Sequence, residues 1–370
     1  MLHIPGRRGN LPAALPSFFM TDDRDHLLRL TFDEVFDVEP NYAGWRLDQF
    51  LTQKLHRASR SQVARILQVT GATIDHRPAR PASRLRPGEV VRIRRTERID
   101  PATPPLTSVQ ILLDETPILV LNKPPGMLVH RNAGEVSRTI DAWLEQQVRQ
   151  APLQGRAEVA LDSVPRRGGI AEPVHRLDRE TSGCLVCARG LDEIRRMRER
   201  FERTQVQKTY AALVHDPHRF WHPGQRQVFD TPLGFDTASK VKLRVGPGDA
   251  ACTTTAVCAG RRDDTAALHI QIEQGRQHQI RAHLGLAGTP IVGDKLYGMG
   301  DDWFLDWLER PGHPALVAEL TTRWHCLHAW QVSFASANQL FSIHAPLPEH
   351  MLAVSSPEWF NDSLFQDNTT

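Results

Sequence analysis

A chain of 370 residues, 40% hydrophobic and 24% charged, is long enough for two domains, and its balance excludes disordered, collagen-like and disulfide-scaffold classes. Its five cysteines, Cys184, Cys187, Cys252, Cys258 and Cys326, are odd in number and scattered, which fits a reducing, cytoplasmic compartment better than a disulfide framework. The net charge of +2 is unevenly spread: residues 44 to 98 hold 13 Lys and Arg against Asp48, Asp75, Glu89 and Glu97, a net of +9 that leaves −7 elsewhere.

Residues 1 to 43 show no sustained periodicity and are expected to be an extension; the run "LPAALPSFF" is too short and too proline-broken for a secretory or membrane segment. From Trp45 onward the pattern sharpens. Leu47, Phe50, Leu51 and Leu55 form one apolar helical face, and a second helix follows, capped at Ser59 or Ser61, with Val63, Ile66 and Leu67 inward and Gly71 at its end. "ATID" and "EVVRIRR" read as strands, with Val91 and Ile93 inward and Arg92 and Arg94 outward. Trp45 is expected in this core. Residues 44 to 98 thus form a small basic α/β domain, and the proline-rich residues 99 to 110 read as a linker.

The larger body is expected over 111 to 350, with a tail at 351 to 370. It opens on two strand-like runs and a Lys-Pro-Pro-Gly turn in "ILLDETPILVLNKPPGMLVH", then a helical "RTIDAWLEQQVRQ" and a polar segment from about 151 to 172. "PVHRLDRETSGCLVCARG" leads into a strand; "LDEIRRMRERF" is helical; "KTYAALV" and "ALHIQIEQG" are strands; "RQHQIRAHLGLAG" is a helix; 299 to 324 is a long connection; and "LHAWQVSF" and "LFSIHAPLP" close a sheet. Strands and helices do not alternate regularly, which predicts an α+β fold with a mixed, mainly antiparallel sheet rather than a doubly wound one.

Cys184 and Cys187 form a CxxC, but residues three apart on a strand face opposite ways, so the two sulfurs cannot share an ion. "HCLH" at 325 to 328 has the same weakness, and no metal site is expected. Clustered arginines that include Arg57, Arg60, Arg65, Arg92 and Arg94 offer the small domain a phosphate-binding face. The stretch from "WRLDQFL" through "SRSQVARIL" to "GEVVRI" resembles the S4-type RNA-binding module.

The "HRLDRETSG" segment resembles the signature of RluA-type pseudouridine synthases. "NKPPGMLVH", "KTYAALV", "GRQHQIRAHL", "PIVGDKLYG" and "LHA" follow that family's order and approximate spacing over most of residues 112 to 347. A kinase "HRD" is the obvious confusion, but no glycine-rich phosphate loop precedes it and no Asp-Phe-Gly follows.

The resemblance implies a pseudouridine-synthase fold and isomerisation of uridine within RNA, with no cofactor. It makes Asp178 the carboxylate that works at the ribose and Arg281 its partner, the guanidinium fork holding both carboxylate oxygens. It makes Tyr210 the ring that stacks on a flipped-out uracil. Arg176 is expected to engage RNA, and His175 is either an RNA contact or a scaffold residue. The appended domain favours ribosomal over transfer RNA, and the protein is expected to be a monomer without membrane association. The alternatives are a transfer-RNA synthase of the same family and a non-catalytic RNA-binding or ribosome-assembly factor. The family pattern is departed from in the long polar segment before "HRLD", in the loosely matching "DTASKVKLRVGPGDAACTTTAV" and in the missing His-Pro after "WQVSF"; these put substrate choice in doubt more than activity.

Overall fold

A computed structural model of the protein describes residues 28–55, 59–132, 135–150, 171–336 and 339–360. The chain divides into two compact units: one runs to Pro101 and includes Arg131–Ser137, and the other comprises Ala102–His130 and everything from Arg138 onward. No helix among the described residues is long and apolar enough to cross a membrane.

In the smaller unit, α1 (Leu47–Lys54) and α2 (Arg60–Thr70) share a core with a four-stranded antiparallel sheet. Its strands are β1 (Leu28–Asp37), β2 (Ala72–Ile74), β3 (Arg77–Ala79) and β4 (Val90–Ile99), in the order β1-β4-β2-β3. Helix α2 starts where a capping box allows it: the Ser59 hydroxyl accepts the Gln62 N–H, and the Gln62 side chain accepts the Ser59 N–H. It stops at Gly71, whose φ of +71° breaks the helical path.

Three expectations for this unit need correcting. The stretch expected to be an extension contains β1, which pairs along its whole length with β4, from Leu28 opposite Ile99 to Asp37 opposite Val90. Opposite charge favours this register: Asp33 lies 3.1 Å from Arg94 and 3.7 Å from Arg92. Trp45 is not in the core but 39% exposed, its ring edge-on to Tyr42. Residues Arg131–Ser137, expected in the larger body, belong here, where the Glu97 carboxylate accepts the backbone N–H groups of Val136 and Ser137.

The larger unit is built on a mixed, mainly antiparallel sheet. Its strands are β5 (Gln110–Glu115), β6 (Ile118–Lys123), β7 (Glu172–Pro173), β8 (Ser182–Ala188), β9 (Gln207–His215), β10 (Arg226–Phe229), β13 (Thr254–Arg262), β14 (Thr265–Ile272), β15 (Leu327–Ser336) and β16 (Gln339–His344). The path runs β10-β13-β14-β9-β15-β8-β6-β5, and β11 (Leu233–Phe235) and β12 (Val245–Pro247) form a separate ribbon. Alternate side chains feed two cores. Leu119, Leu121, Leu185 and Cys187 enter one, together with α3 (Ile140–Gln150) and α5 (Gln279–Leu286); Ile118, Val120, Cys184 and Val186 enter the other, with α4 (Leu191–Glu202). The two cysteines of the CxxC therefore sit in opposite cores.

Other expected boundaries are also refined. The long connection contains α6 (Asp301–Glu309) and α7 (Pro314–Ala318). Of the expected tail, α8 (Glu349–Leu352) and the stretch to 360 are packed, with Met351 and Trp359 buried in the first core. The expected linker is partly folded, since Ile99, Thr103 and Val109 are buried. Most of the polar segment from 151 lies outside the described residues.

The feature that positions the site is the junction of β8 with β15. β15 pairs antiparallel with β9 and β16, yet meets the start of β8 in parallel, through Ser182–His328 and Gly183–Ala329. Gly183 has φ +104°, and a Cβ there would overlap the backbone carbonyl of Ala329. Both the left-handed backbone and the missing side chain are therefore required. Gly183→Ala is expected to lower unfolding free energy by about 3 kcal/mol, read as a shift of the urea midpoint.

Candidate active site

The chain enters β8 from a loop, residues 174–181, that carries Asp178 into an open cleft. Tyr210 from β9, Ile280 and Arg281 from α5 and Leu327 from β15 line it, with Arg176, Arg276 and His278 around them. The residues flanking Asp178 are tied down individually. The buried Lys123 ammonium, at the end of β6, donates to the carbonyls of Pro124 (2.9 Å), Met127 (2.8 Å) and Arg179 (2.9 Å), joining the Lys-Pro-Pro-Gly turn to the loop. Glu180 accepts from Lys295 at 2.7 Å and from the His325 backbone N–H at 3.1 Å. The Thr181 hydroxyl lies 2.9 Å from His325 Nε2. The Ser182 hydroxyl donates to His328 Nδ1 at 2.8 Å, because His328 Nε2 donates to the Ala345 carbonyl.

Arg281 is 8% exposed on a helix whose residues 279 to 284 are all buried. Its bonding corrects the expected pairing. The guanidinium fork goes to Asp294, with Nε to Oδ2 at 2.6 Å and Nη2 to Oδ1 at 3.0 Å. Only Nη1 reaches Asp178, at Oδ2, 2.9 Å away. A guanidinium has five N–H donors in one plane, so one edge can grip a carboxylate while another donor serves a second. Asp294 Oδ1 also accepts the backbone N–H groups of Leu296 and Tyr297, at 2.9 and 3.1 Å.

Burial alone would push the Asp178 carboxyl up, and it is the largest single influence. The charge of Arg281, reinforced by His278, by the Arg281 hydrogen bond and by His325, outweighs it and holds the group below its ordinary value of 3.8. Asp294 is held lower still against the same burial by Arg281. Burial, then the nearby Asp178 charge, raise the Tyr210 phenol well above its usual range, so it stays protonated.

Asp178, Tyr210 and Arg281 thus meet in one cleft, and Arg176 is exposed at its edge. His175 is held by the fold: its Nε2 accepts the Val186 N–H at 2.9 Å, its ring stacks on Phe201 at 4.3 Å, and burial depresses its pKa to about 3. In the smaller unit, Arg60 and Arg65 are exposed, Arg92 is half-buried, and both Arg92 and Arg94 are paired with Asp33; Arg57 lies outside the described residues.

Comparison with known proteins bears on the whole arrangement. Residues 117–285 match the family model for RNA pseudouridylate synthase. An uncharacterized RNA pseudouridine synthase of Chloroflexus aurantiacus is 31% identical over 72% of this chain and 79% of its own. The chain belongs to the RNA pseudouridylate synthase family. Ribosomal large subunit pseudouridine synthase D of Xanthomonas campestris pv. campestris is 30% identical over 86% of this chain and 90% of its own. Ribosomal large subunit pseudouridine synthase C of Vibrio vulnificus is 28% identical over 86% and 94%. As a pseudouridine synthase, the protein isomerises uridine in RNA to pseudouridine.

Sequence reasoning missed Asp294, Lys123, Glu180 and Lys295 as parts of the site. Asp294 and Lys295 stand in "PIVGDKLYG" and Lys123 in "NKPPG", so the motifs were visible, but their side-chain roles were not. The usable signal was chemical: a buried arginine with one carboxylate partner has donors to spare, and a second acid inside a family motif is the natural acceptor.

Two outcomes are expected. In a carboxyl-carbon NMR titration, Asp178 protonates below 3.8, and Arg281→Met, which removes the main opposition to burial, moves its midpoint up. The sign for stability follows from the depressed folded pKa: Asp178 ionisation contributes fully above the unfolded value and is lost as pH falls through the folded one. Asp294→Asn strips the buried fork of its charged partner and is expected to cost about 3 kcal/mol in denaturant unfolding.

Proposed function

We propose that Asp178 is the carboxylate that acts at the ribose of a flipped-out uridine, and that the RNA is ribosomal. The reaction breaks the bond from C1′ to N1, forms one from C1′ to C5, removes the proton from C5 and returns one to N1. No electrons are gained or lost, so the chain's own groups suffice. What carries the reading is an ionised carboxylate at the edge of a cleft, held by a single donor of an arginine otherwise committed to Asp294. Asp178 Oδ1 has no hydrogen-bond partner among the described residues and is the oxygen free to react. It serves as nucleophile at C1′ or as base at C2′, by the logic of a glycosidase carboxylate.

Tyr210 supports the same reading. It is 8% exposed in the cleft wall and stays protonated at neutral pH, so it offers a ring face for the uracil and a hydroxyl that relays the C5 proton. Extrusion of the base costs a few kcal/mol of unstacking, and the exposed Arg176 at the cleft edge is suited to hold the opened RNA.

The preference for ribosomal RNA is supported by the names of the Xanthomonas and Vibrio relatives and by the basic smaller unit, read as an S4-type RNA-binding module. That unit carries a concavity lined by Trp45, Gln49, Gln53, Arg60 and Arg84. Trp45 is exposed yet seated on Tyr42, and Arg84 donates to the Gly44 carbonyl at 2.8 Å, fixing the backbone beside it. A fixed aromatic face flanked by guanidiniums suits an unpaired base and its phosphates.

Asp178→Ala is expected to lower the single-turnover rate of pseudouridine formation by about 10⁴-fold while RNA binding persists; unchanged pseudouridine in treated ribosomal RNA would overturn the assignment. Trp45→Ala is expected to weaken RNA binding about tenfold with an unchanged salt dependence, whereas Arg60→Ala reduces the slope of log affinity against log salt by about one. Both are read from binding titrations at several salt concentrations, and full retention of affinity by the Trp45 variant would sink the proposed base contact.

A further inference from the structure

His278 stands immediately before α5 in the left-handed conformation, with φ +53° and ψ +18°. Its ring is 13% exposed and lies edge-on to Tyr297. One nitrogen, Nδ1, is 3.2 Å from the Tyr297 hydroxyl, and the other, Nε2, is 3.9 Å from Asp178 Oδ2. The Tyr297 oxygen accepts the Val245 backbone N–H at 3.0 Å. Burial, seconded by Arg281, lowers the His278 pKa to about 4 against the pull of Asp178 and Asp294, so the ring is neutral at pH 7 and carries one proton.

The surroundings decide where that proton sits. If it were on Nδ1, the Tyr297 hydroxyl hydrogen would lose its acceptor, and Nε2 would turn a lone pair toward the Asp178 carboxylate. With the proton on Nε2, Tyr297 donates to Nδ1 and an N–H faces the carboxylate. At 3.9 Å that N–H is too far from Oδ2 for a direct hydrogen bond. The gap suits one oxygen that accepts from His278 and donates to Asp178, as a water can in the free site and a substrate hydroxyl can in its place.

We infer that His278 is a specificity residue whose Nε2–H binds the ribose 2′-hydroxyl of the target uridine, so that this enzyme tells RNA from DNA at the reacting nucleotide itself. The inference rests on the reading that Asp178 works at C1′. In a ribonucleoside the base lies on one face of the sugar and the 2′-hydroxyl on the other. A carboxylate that reaches C1′ opposite the departing N1 approaches on the hydroxyl's face, one bond from C2′. The group beside that carboxylate then meets the 2′-oxygen, while the uracil carbonyls lie across the ring.

The test compares a transcribed large-subunit ribosomal RNA fragment that spans the converted uridine with a ligated copy carrying a single 2′-deoxyuridine at that position. The left-handed backbone guides the variants: His278→Asn keeps a residue that tolerates the conformation but is too short to reach, and His278→Gln restores a donor at about the original distance. Wild-type enzyme is expected to lose about tenfold in kcat/KM on the deoxy substrate, the worth of one hydrogen bond in a dry site. His278→Asn loses a similar factor on the ribo substrate and nothing more on the deoxy one, while His278→Gln regains the discrimination. Equal wild-type rates on the two substrates, or a full ribo-to-deoxy ratio in His278→Asn, would overturn the inference. Should the Asn variant not fold, as read from its circular dichroism, His278→Gly, which tolerates the same backbone and has no donor, carries the same comparison. Its loss of discrimination supports the inference, and a full ribo-to-deoxy ratio in it overturns it. No conversion of any uridine by the wild type would instead overturn the functional reading beneath.

Discussion

One buried guanidinium, that of Arg281, is divided unequally between two carboxylates, and the site depends on that inequality. Asp294 receives the bidentate fork and two backbone N–H groups. Asp178 receives one hydrogen bond. A fully satisfied buried carboxylate is inert structure; one that is charged but under-bonded keeps a free oxygen and the energy to use it. Asp294 thus fixes the arginine so that the arginine can hold Asp178 without smothering it. A simple Asp178–Arg281 fork would have bound both oxygens of Asp178.

The surrounding fold serves the same end by restraining the backbone on either side of Asp178. Lys123 gathers three carbonyls, two from its own turn and one from Arg179. Lys295 binds the Glu180 carboxylate and the Arg323 carbonyl, and its ammonium lies over the rings of Trp307 and Trp324. Gly126 in the Lys-Pro-Pro-Gly turn has no room for a Cβ because Trp324 lies against it. Each contact is an ordinary hydrogen bond or packing constraint; together they leave the carboxylate little freedom to turn away from the cleft.

What could be read from the sequence follows the range of the physics involved. Strand alternation assigned Cys184 and Cys187 to opposite faces, and the two cores bear this out. The cap, narrowed to Ser59 or Ser61 and found at Ser59, and the stop at Gly71 were equally local. The pairing of Asp178 with Arg281 was reachable only because ordered motifs implied it, and its detail, the fork turned to Asp294, depends on three dimensions that spacing does not encode. β1 was missed because its alternation falters at Glu34 and Val35, so the strand is specified by its partner more than by itself: Asp33 meets the arginines of β4. Trp45 was misassigned because aromatic bulk predicts burial unless the surface has a use for it.

The Gly183 junction has a consequence for how this enzyme comes into being. β8, which follows the loop that carries Asp178, pairs on one edge with β6, a strand that precedes it in the chain. Its other edge must wait for β15, and the contacts that lock the loop span 103 residues from Asp178 to Arg281, 144 from Thr181 to His325 and 146 from Ser182 to His328. A chain emerging from the ribosome therefore carries Asp178 for most of its remaining synthesis without the charge that keeps it ionised in a dry site or the strand that holds it still. A chain that stops short of His325 and β15 holds Asp178 in its sequence but lacks both the His325 and His328 contacts and the parallel strand edge that fix its loop.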